Sequence, residues 1–169
     1  AGVRDGIALA GRFAGARFDA VIHFAALKAV GESCERPLEY SVNNISGTIC
    51  LLRAMRAAGV GRLVFSSSAT VYGEPRSVPI DEDAPLSSTN PYGRTKLVME
   101  QLIGDVCVAD AGFQAISLRY FNPVGAHPSG LIGEAPSGVP NNLMPYICQV
   151  AAGKRERLQV YGGDWPTVD

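Results

Sequence analysis

Short apolar runs alternate with helical patterns along this chain, and that alternation restricts its possible folds more than any other feature. The runs are residues 20–24, 62–66 and 115–120, and segments with helical spacing of apolar residues lie between them. A strand, a helix and a second strand in succession are typical of a βαβ unit, whose two strands lie parallel in one sheet. The sequence therefore predicts an α/β chain built on a parallel sheet.

Particular residues mark where the predicted helices begin and end. Gly59 follows a helical pattern over residues 37–58 and is suited to close that helix in the left-handed conformation. Asn90 and Pro91 are typical of an N-cap followed by the first helical position, and they predict a second helix that stops near Gly112.

The composition changes after the third apolar run. Gly and Pro become dense over residues 123–140, which is typical of a functional loop, and a helical pattern over 141–152 and a strand-like run at 158–161 follow. We therefore predict two regions: a sheet domain, residues 1–122, and the start of a smaller binding region, residues 123–169.

The balance of charge excludes some classes of partner. Fifteen basic and sixteen acidic residues give a net charge of −1, so neither nucleic acid nor an anionic membrane surface would be attracted electrostatically. Apolar runs fall far short of the ~18 residues that a membrane-spanning helix needs. We expect no leader peptide and a cytoplasmic protein.

The cysteines and histidines do not form a recognisable metal or disulfide pattern. None of the cysteines is spaced as Cys-x-x-Cys, and we expect buried free thiols in a reducing compartment, above all at Cys50 and Cys148. Only two histidines are present, so no metal site is predicted. His23 is expected to be a core residue with its hydrogen bonds satisfied, and His127 a structural residue of the Pro/Gly loop.

Tyr92 and Lys96 form a Tyr-x-x-x-Lys pair in the first turns of a predicted helix. Residues four apart share one helix face, so the ammonium can lie beside the phenol. A cation and the positive helix N-terminus favour the phenolate, and lowering the phenol pKa by ~3 units takes ~4 kcal/mol of differential interaction. A run of hydroxyls, residues 66–68, stands where a strand ends, the edge at which parallel sheets bind ligands. We therefore expect Tyr92 to act as a base beside Ser68.

Five sequence blocks, in the same order, resemble the UDP-glucose 4-epimerases, NAD-dependent enzymes of the extended short-chain dehydrogenase type. They are residues 23–28 (HFAALK), 66–73 (SSSATVYG), 90–96 (NPYGRTK), 119–128 (RYFNPVGAHP) and 140–146 (PNNLMPY). The resemblance implies a doubly wound parallel sheet of Rossmann type, here incomplete, with the start of a smaller C-terminal substrate-binding region. It also implies an isomerase of galactose metabolism, which interconverts UDP-glucose and UDP-galactose by reversible hydride transfer at sugar C4 to tightly bound NAD.

The resemblance also implies roles for particular residues. Tyr92 would take the proton from the sugar 4-hydroxyl, Lys96 would lower the Tyr92 pKa and bind the nicotinamide ribose, and Ser68 and Thr70 would hydrogen-bond the reacting hydroxyl. The implied cofactor contacts are Phe24, Ala25, Lys28, Asn43, Ser68, Tyr92, Lys96 and Phe121. The implied substrate contacts are Asn122, Asn142, Leu143, Gln159, Val160 and Tyr161.

Three features of the resembling enzymes are missing from this sequence: a glycine-rich turn for the pyrophosphate, an acidic residue after the second strand for the adenosine ribose, and a later Arg for the UDP phosphates. We expect both chain ends to be cuts and this fragment alone to be inactive. A sugar-nucleotide dehydratase or decarboxylase is an alternative, which Ala69 and Thr70 disfavour because such enzymes carry acidic residues there. A non-catalytic nucleotide-binding relative is a second alternative, which the intact Ser68, Tyr92 and Lys96 disfavour.

The apolar residues of two predicted helices suggest an oligomer. Residues 45–58 and 92–109 carry apolar sets wider than one sheet-facing stripe, so a second face needs covering. Related enzymes pair these helices in a four-helix bundle. We therefore expect the full-length protein to be a homodimer.

Overall fold

The computed structural model describes residues 2–134 and 138–163. These residues separate into two compact units, Ala1–Phe121 and Asn122–Asp169. The elements of the first unit are α1 (Gly6–Gly15), β1 (Val21–His23), α2 (Val30–Glu35), α3 (Pro37–Ser41), α4 (Gly47–Ala57), β2 (Arg62–Ser68), α5 (Pro91–Ala109) and β3 (Gln114–Tyr120). The second unit has α6 (Leu143–Ala151).

The three strands form one parallel sheet in the order β1-β2-β3. Ile22 of β1 pairs with Val64 of β2, and Val64 pairs in turn with Ile116 of β3. Helices follow each of the first two strands before the chain returns to the sheet, as βαβ connections require. The predicted α/β fold with a parallel, Rossmann-like sheet is confirmed.

The hydrophobic core lies between one face of the sheet and the helices α4 and α5. Leu63 and Phe65 point from β2 to this face, and Met55 of α4 and Met99 and Ile103 of α5 pack with them. Each of these five side chains is at most 2 % exposed. Burial of large apolar side chains stabilises by about 1.5–3 kcal/mol each, so this layer fixes α5 against the sheet.

The opposite face of the sheet is apolar but exposed. Ile22 and Ile116 occupy matched register positions with Val64 between them, and they are 63 % and 61 % exposed. Leu118, two residues further along β3, is 38 % exposed. A parallel sheet normally buries both faces, and its strands are therefore rich in Val, Ile and Leu. The exposed isoleucines and leucine of this face match that composition.

The predicted helix signals are present, with one interruption. Asn90 accepts a hydrogen bond from the Gly93 amide at 2.8 Å, and Pro91 is the first residue of α5. Gly59 has φ 71° and ends the segment after α4. The helix predicted over residues 37–58 contains a π turn, Val42–Ser46, between α3 and α4. Single π turns inside helices are often found at functional sites.

Two predictions are wrong, one about a strand near the C-terminus and one about the burial of the cysteines. The run at residues 158–161 forms no strand, because no other strand of the described residues pairs with it, and Tyr161 is 83 % exposed. The cysteines are free, as expected, but Cys34 and Cys148 are exposed and Cys50 and Cys107 half-buried. Helix α6, which carries Cys148, buries only Pro145 among its described residues, and so it offers no core for a thiol.

Candidate active site

The carboxyl end of β2 presents a pair of hydroxyl groups. Ser68 is the last residue of the strand, and its Oγ accepts hydrogen bonds from the Thr70 amide at 3.2 Å and from the Thr70 hydroxyl at 3.0 Å. These bonds start the tight turn Ala69–Tyr72 that follows. Because Ser68 Oγ accepts twice from Thr70, its own O–H remains free to act as a donor.

Tyr92 and Lys96 occupy the first turns of α5 and are both buried, at 8 % and 3 % exposure. The Lys96 ammonium donates to the Ser66 carbonyl at 2.6 Å. It lies 5.8 Å from the centre of the Tyr92 ring and 5.0 Å from the centre of the Phe65 ring. The helix and the strand end therefore bring Ser68, Tyr92 and Lys96 to one edge of the sheet.

The pKa values of the two buried groups shift in opposite directions. Burial raises the pKa of the Tyr92 phenol, and a hydrogen bond from Ser68 opposes this less strongly. Burial lowers the pKa of Lys96 to about 8, against the opposing charge of Glu100. We expected a lowered Tyr92 pKa. The structure gives the opposite direction, because removal of the phenol from water is the largest influence on its pKa.

A serine from a neighbouring helix fixes the backbone of Tyr92. The buried Ser33 Oγ accepts from the Tyr92 amide at 3.1 Å and donates to the Val30 carbonyl at 2.6 Å. The Tyr92 amide is one of the helix N-terminal donors without a partner inside the helix. Sequence reasoning missed Ser33, since a single serine 59 positions away gives no local signal.

Gly93 allows α5 to approach the Ser68–Thr70 turn. A Cβ at this position would lie 2.9 Å from the Thr70 carbonyl oxygen and 3.2 Å from its side chain. Any side chain would push the start of α5 away from the turn. The glycine in the Tyr-x-x-x-Lys pair therefore sets the distance between the two parts of the site.

A buried asparagine connects the β1 loop to α5. Asn44, within the π turn, accepts from the Leu27 amide at 2.8 Å and donates to the Leu27 carbonyl at 3.0 Å and to Thr95 Oγ1 at 3.1 Å. Thr95 donates in turn to the Tyr92 carbonyl at 2.8 Å. The resemblance pointed to the neighbouring Asn43, which is half-buried and donates to Asn44 Oδ1 at 3.1 Å. Sequence reasoning missed Asn44, whose contacts depend on the π turn.

The two histidines have different environments. His23 is buried, and its Nε2 lies 3.0 Å from Thr48 Oγ1, so the prediction of a satisfied core histidine is confirmed. Burial first, and the charge of Lys96 second, lower the pKa of His23 to about 4. His127 is exposed, and its Nδ1 lies 2.7 Å from Ser129 Oγ within a turn, as a structural role requires.

Four of the residues expected to contact a cofactor come after strands: Phe24, Ala25 and Lys28 after β1, and Phe121 after β3. Phe24 and Ala25 follow β1 and line a cavity of 380 Å³. The exposed Phe24 ring lies in a stacked orientation relative to the Tyr120 ring, and the ring centres are 6.5 Å apart. The exposed Phe121 follows β3 and stacks on Tyr72, with centres 6.4 Å apart. Lys28 is exposed in the loop after β1.

The second unit has a cavity of 580 Å³ that contains four of the six expected substrate contacts: Asn142, Leu143, Gln159 and Tyr161. Arg155 and Arg157 also line it. The Tyr161 hydroxyl donates to Gln159 Oε1 at 3.0 Å. The other two expected contacts, Asn122 and Val160, are described residues that do not line this cavity, and Val160 is 80 % exposed.

The described residues contain neither a cluster of metal ligands nor a membrane-spanning helix. Within residues 2–134 and 138–163 no group of three or more His, Cys, Asp or Glu side chains is arranged to hold a metal ion. None of the helices formed there combines the length and apolar character needed to cross a membrane.

A parallel sheet with Ser, Tyr and Lys gathered at the carboxyl edge defines a class of dinucleotide-dependent enzymes. The chain matches the NAD dependent epimerase/dehydratase family over residues 1–166 and belongs to that family. Among curated relatives, it is 60 % identical over 167 residues to UDP-glucose 4-epimerase 2 of Arabidopsis thaliana, covering 99 % of this chain and 48 % of that protein. It is also 60 % identical over 157 residues to the UDP-glucose 4-epimerase of Bacillus subtilis, covering 93 % and 46 %.

Solved structures of UDP-glucose 4-epimerases also superpose on this chain. The UDP-glucose 4-epimerase of Bifidobacterium longum, in complex with NAD⁺ and UDP, superposes with a TM-score of 0.93 at 52 % identity, covering all of this chain and 51 % of that one. The enzyme of Stenotrophomonas maltophila, with NAD and formylated UDP-arabinopyranose, superposes with a TM-score of 0.94 at 56 % identity, covering all of this chain and 50 % of that one. The chain thus spans about half the length of the relatives that it matches.

Proposed function

We propose that the whole protein interconverts UDP-glucose and UDP-galactose as an NAD-dependent isomerase. The observation that carries this proposal is the meeting of Ser68, Tyr92 and Lys96 at the carboxyl edge of the sheet, in a chain 60 % identical to UDP-glucose 4-epimerases. Residues 1–122 would form part of the NAD-binding domain, and residues 123–169 would begin the sugar-nucleotide-binding region.

The described residues fit NAD. Lys96 has three N–H donors, one of which is bonded to Ser66, and ribose hydroxyls could accept from the others. Exposed aromatic rings at the ends of β1 and β3 offer flat apolar surface for a planar ring. A bound NAD would supply the acceptor and donor of the C4 hydride, and its oxidised nicotinamide ring would add a positive charge to the site. The residues proposed to hold it are Phe24, Ala25, Lys28, Asn43, Ser68, Tyr92, Lys96 and Phe121.

Tyr92 is the proposed general base. Its phenolate removes the proton of the sugar 4-hydroxyl as hydride leaves C4, and the phenol returns that proton when hydride comes back to the other face of the 4-keto sugar. Ser68, whose O–H donates to Tyr92 in this structure, would turn that O–H to the reacting oxygen and orient it, and Thr70 supports Ser68. Because the pKa of Tyr92 is raised, its phenolate needs positive charge nearby to form at neutral pH. The Lys96 ammonium and the oxidised nicotinamide ring of a bound NAD would supply that charge.

The nucleotide half of the substrate is proposed to bind the second unit. Its 580 Å³ cavity combines two tyrosine rings, amide groups and two arginines that outnumber the one carboxylate, Glu156, which suits a uridine base and an anionic diphosphate. The residues proposed to contact the UDP-sugar are Asn122, Asn142, Leu143, Gln159, Val160 and Tyr161.

We also propose a homodimer that forms through α4 and α5. An apolar groove of 200 Å³ runs between these helices, and Ile49, Leu52, Leu102, Val106 and Phe113 line it. A lysine in place of Ile49 should make the whole protein monomeric by light scattering at micromolar concentration. Val108→Lys is the matched control, because Val108 is 91 % exposed and does not line the groove. A monomeric parent protein would reject this part of the proposal.

A place in galactose metabolism in the cytoplasm completes the proposal. Four free cysteines suit a reducing compartment, and a net charge of −1 offers no attraction to nucleic acid or an anionic membrane surface. These features support small-molecule substrates rather than macromolecular partners.

The test is an assay of the purified full-length protein with UDP-galactose and NAD. The expected result is UDP-glucose, formed with no net change in NAD. Loss of water or carbon dioxide from the sugar would establish a dehydratase or decarboxylase instead. Tight binding of NAD without any turnover would establish a non-catalytic relative.

A further inference from the structure

A forked ion pair joins β3 to α5. Arg119 Nη2 lies 2.9 Å from Glu100 Oε2, and Arg119 Nε donates to both carboxylate oxygens, at 3.1 and 3.2 Å. The side chains are only 21 % and 8 % exposed. Bidentate Arg–carboxylate pairs hold both side chains in one relative orientation, so this pair sets the position of α5 relative to the sheet.

The same two side chains also hold the segment that follows β2. Ser67 Oγ donates to Glu100 Oε1. Arg119 Nη1 donates to the Tyr72 hydroxyl at 2.9 Å and to the Glu82 carbonyl at 3.1 Å. The ion pair is therefore a junction at which β2, the turn after it, the loop over residues 73–90, β3 and α5 meet.

This junction lies next to the reacting groups in sequence and in space. Ser67 stands between Ser66, whose carbonyl accepts from Lys96, and Ser68. Glu100 follows Lys96 by one helical turn on α5, so the two side chains share a helix face. Glu100 thus acts on the site through the strand and through its charge.

We propose, on the basis of the proposed function, that Glu100 is a positioning residue for the reaction. Held by Arg119, its carboxylate fixes the Ser66–Ser68 strand end through Ser67 and keeps the Lys96 ammonium charged and in place beside Tyr92. Neither Glu100 nor Arg119 is expected to touch the substrate.

The electrostatics around Lys96 agree with this role. Glu100 is the group that raises the Lys96 pKa, against the burial that lowers it to about 8. Two further titratable groups lie near Lys96, His23 from β1 and Tyr92 from α5, and Arg119 from β3 is paired with Glu100. His23 is neutral and Arg119 is positive, so Glu100 is the negative charge that offsets the burial of Lys96.

The first experiment compares Glu100→Gln with the parent in the full-length protein with NAD. The amide keeps the shape and a hydrogen bond to Ser67 but removes the charge. We expect kcat to fall about tenfold with little change in KM, because misplacing catalytic groups slows the chemical step. We also expect the alkaline limb of the kcat–pH profile to move to lower pH, since Lys96 loses its proton more easily. The matched control is Glu39→Gln, which removes one carboxylate of an exposed ion pair with Arg36.

The second readout does not depend on turnover. Titration of lysine side chains labelled with ¹⁵N, with Lys96→Met to assign the signal, should show Lys96 titrating at lower pH in Glu100→Gln. If the Lys96 titration and the alkaline limb both stay at their parental positions, the proposal is wrong. If Glu100→Gln does not fold, Arg119→Gln gives a test of opposite sign. It leaves the carboxylate without its partner, so Lys96 should titrate at higher pH, and an unchanged titration would overturn the proposal.

These measurements separate this inference from the proposed function. A parent protein that does not epimerise UDP-galactose rejects the function, whereas the Lys96 titration still tests the link between Glu100 and Lys96. An active parent with Lys96 unmoved in both variants rejects the inference alone.

Discussion

The Lys96 ammonium donates a 2.6 Å hydrogen bond to the backbone carbonyl of Ser66. This bond ties a helix to the strand end that carries the hydroxyls of Ser67 and Ser68, and it holds a cation in a buried position. Because burial lowers the Lys96 pKa to about 8, the side chain is charged below that pH and becomes neutral above it. The charge that Tyr92 needs is therefore available at neutral pH and is lost under alkaline conditions.

Replacing Lys96 with Met should slow turnover and raise the pH at which activity appears. Burial already raises the Tyr92 pKa, and without the nearby cation the phenolate forms only at higher pH. We expect a loss of at least about tenfold in kcat at pH 7, part of which higher pH should restore. Lys96→Arg, which keeps the charge, is the control. A Met variant with the parental profile between pH 6 and 10 would show that Lys96 does not act on Tyr92.

Tyr92→Phe should abolish turnover in the full-length protein while NAD stays bound. The ring still packs at the start of α5, but the proton acceptor is gone. The expected loss is about 10²–10⁴-fold, typical of a removed general base. Turnover and bound NAD can be measured on the same preparation. Retention of most of the parental kcat would mean that another group removes the proton.

Gly93→Ala should damage the site even though alanine favours helices. The new Cβ would lie 2.9 Å from the Thr70 carbonyl oxygen, so α5 must shift away from the Ser68–Thr70 turn. We expect kcat to fall by about tenfold or more, because a small displacement of positioned groups is costly.

The control for this substitution is on the same helix. Gly104 has nothing within 4 Å of an added Cβ, so Gly104→Ala should stabilise α5 by up to about 1 kcal/mol. Its kcat should stay at the parental value. Equal activity of the two alanine variants would show that the approach of Gly93 to Thr70 is unimportant.

Local sequence signals predicted the parts of the fold that depend on local chemistry. The parallel strands, the Asn90 cap and the Gly59 stop are each encoded within a few residues. The Tyr-x-x-x-Lys spacing predicted that Tyr92 and Lys96 share a helix turn for the same reason. By contrast, the run at 158–161 has strand-like composition, and only pairing with another strand would make it one.

The supporting residues of the site could not be predicted in this way. Ser33, Asn44 and Glu100 act through partners 59, 51 and 19 positions away, so their roles depend on packing. The direction of the Tyr92 pKa shift was missed for a related reason. Sequence spacing shows which charge is near, whereas the loss of water around the phenol follows from the folded structure.

His23 should make the protein less stable in acid. Burial holds its pKa at about 4 against an ordinary value of 6.5, so between these values the unfolded chain binds a proton that the folded chain does not. Stability from neutral His23 is therefore complete above pH 6.5 and falls as the pH drops from 6.5 toward 4. This contribution amounts to about 2 kcal/mol between pH 7 and 4.5. In the full-length protein, His23→Gln should reduce the difference in unfolding free energy between these two pH values by that amount, as measured by urea unfolding.

His127→Gln, in an exposed turn, is the matched control and should leave the difference unchanged. The assigned cause of acid sensitivity is wrong if both variants lose stability in acid as steeply as the parent.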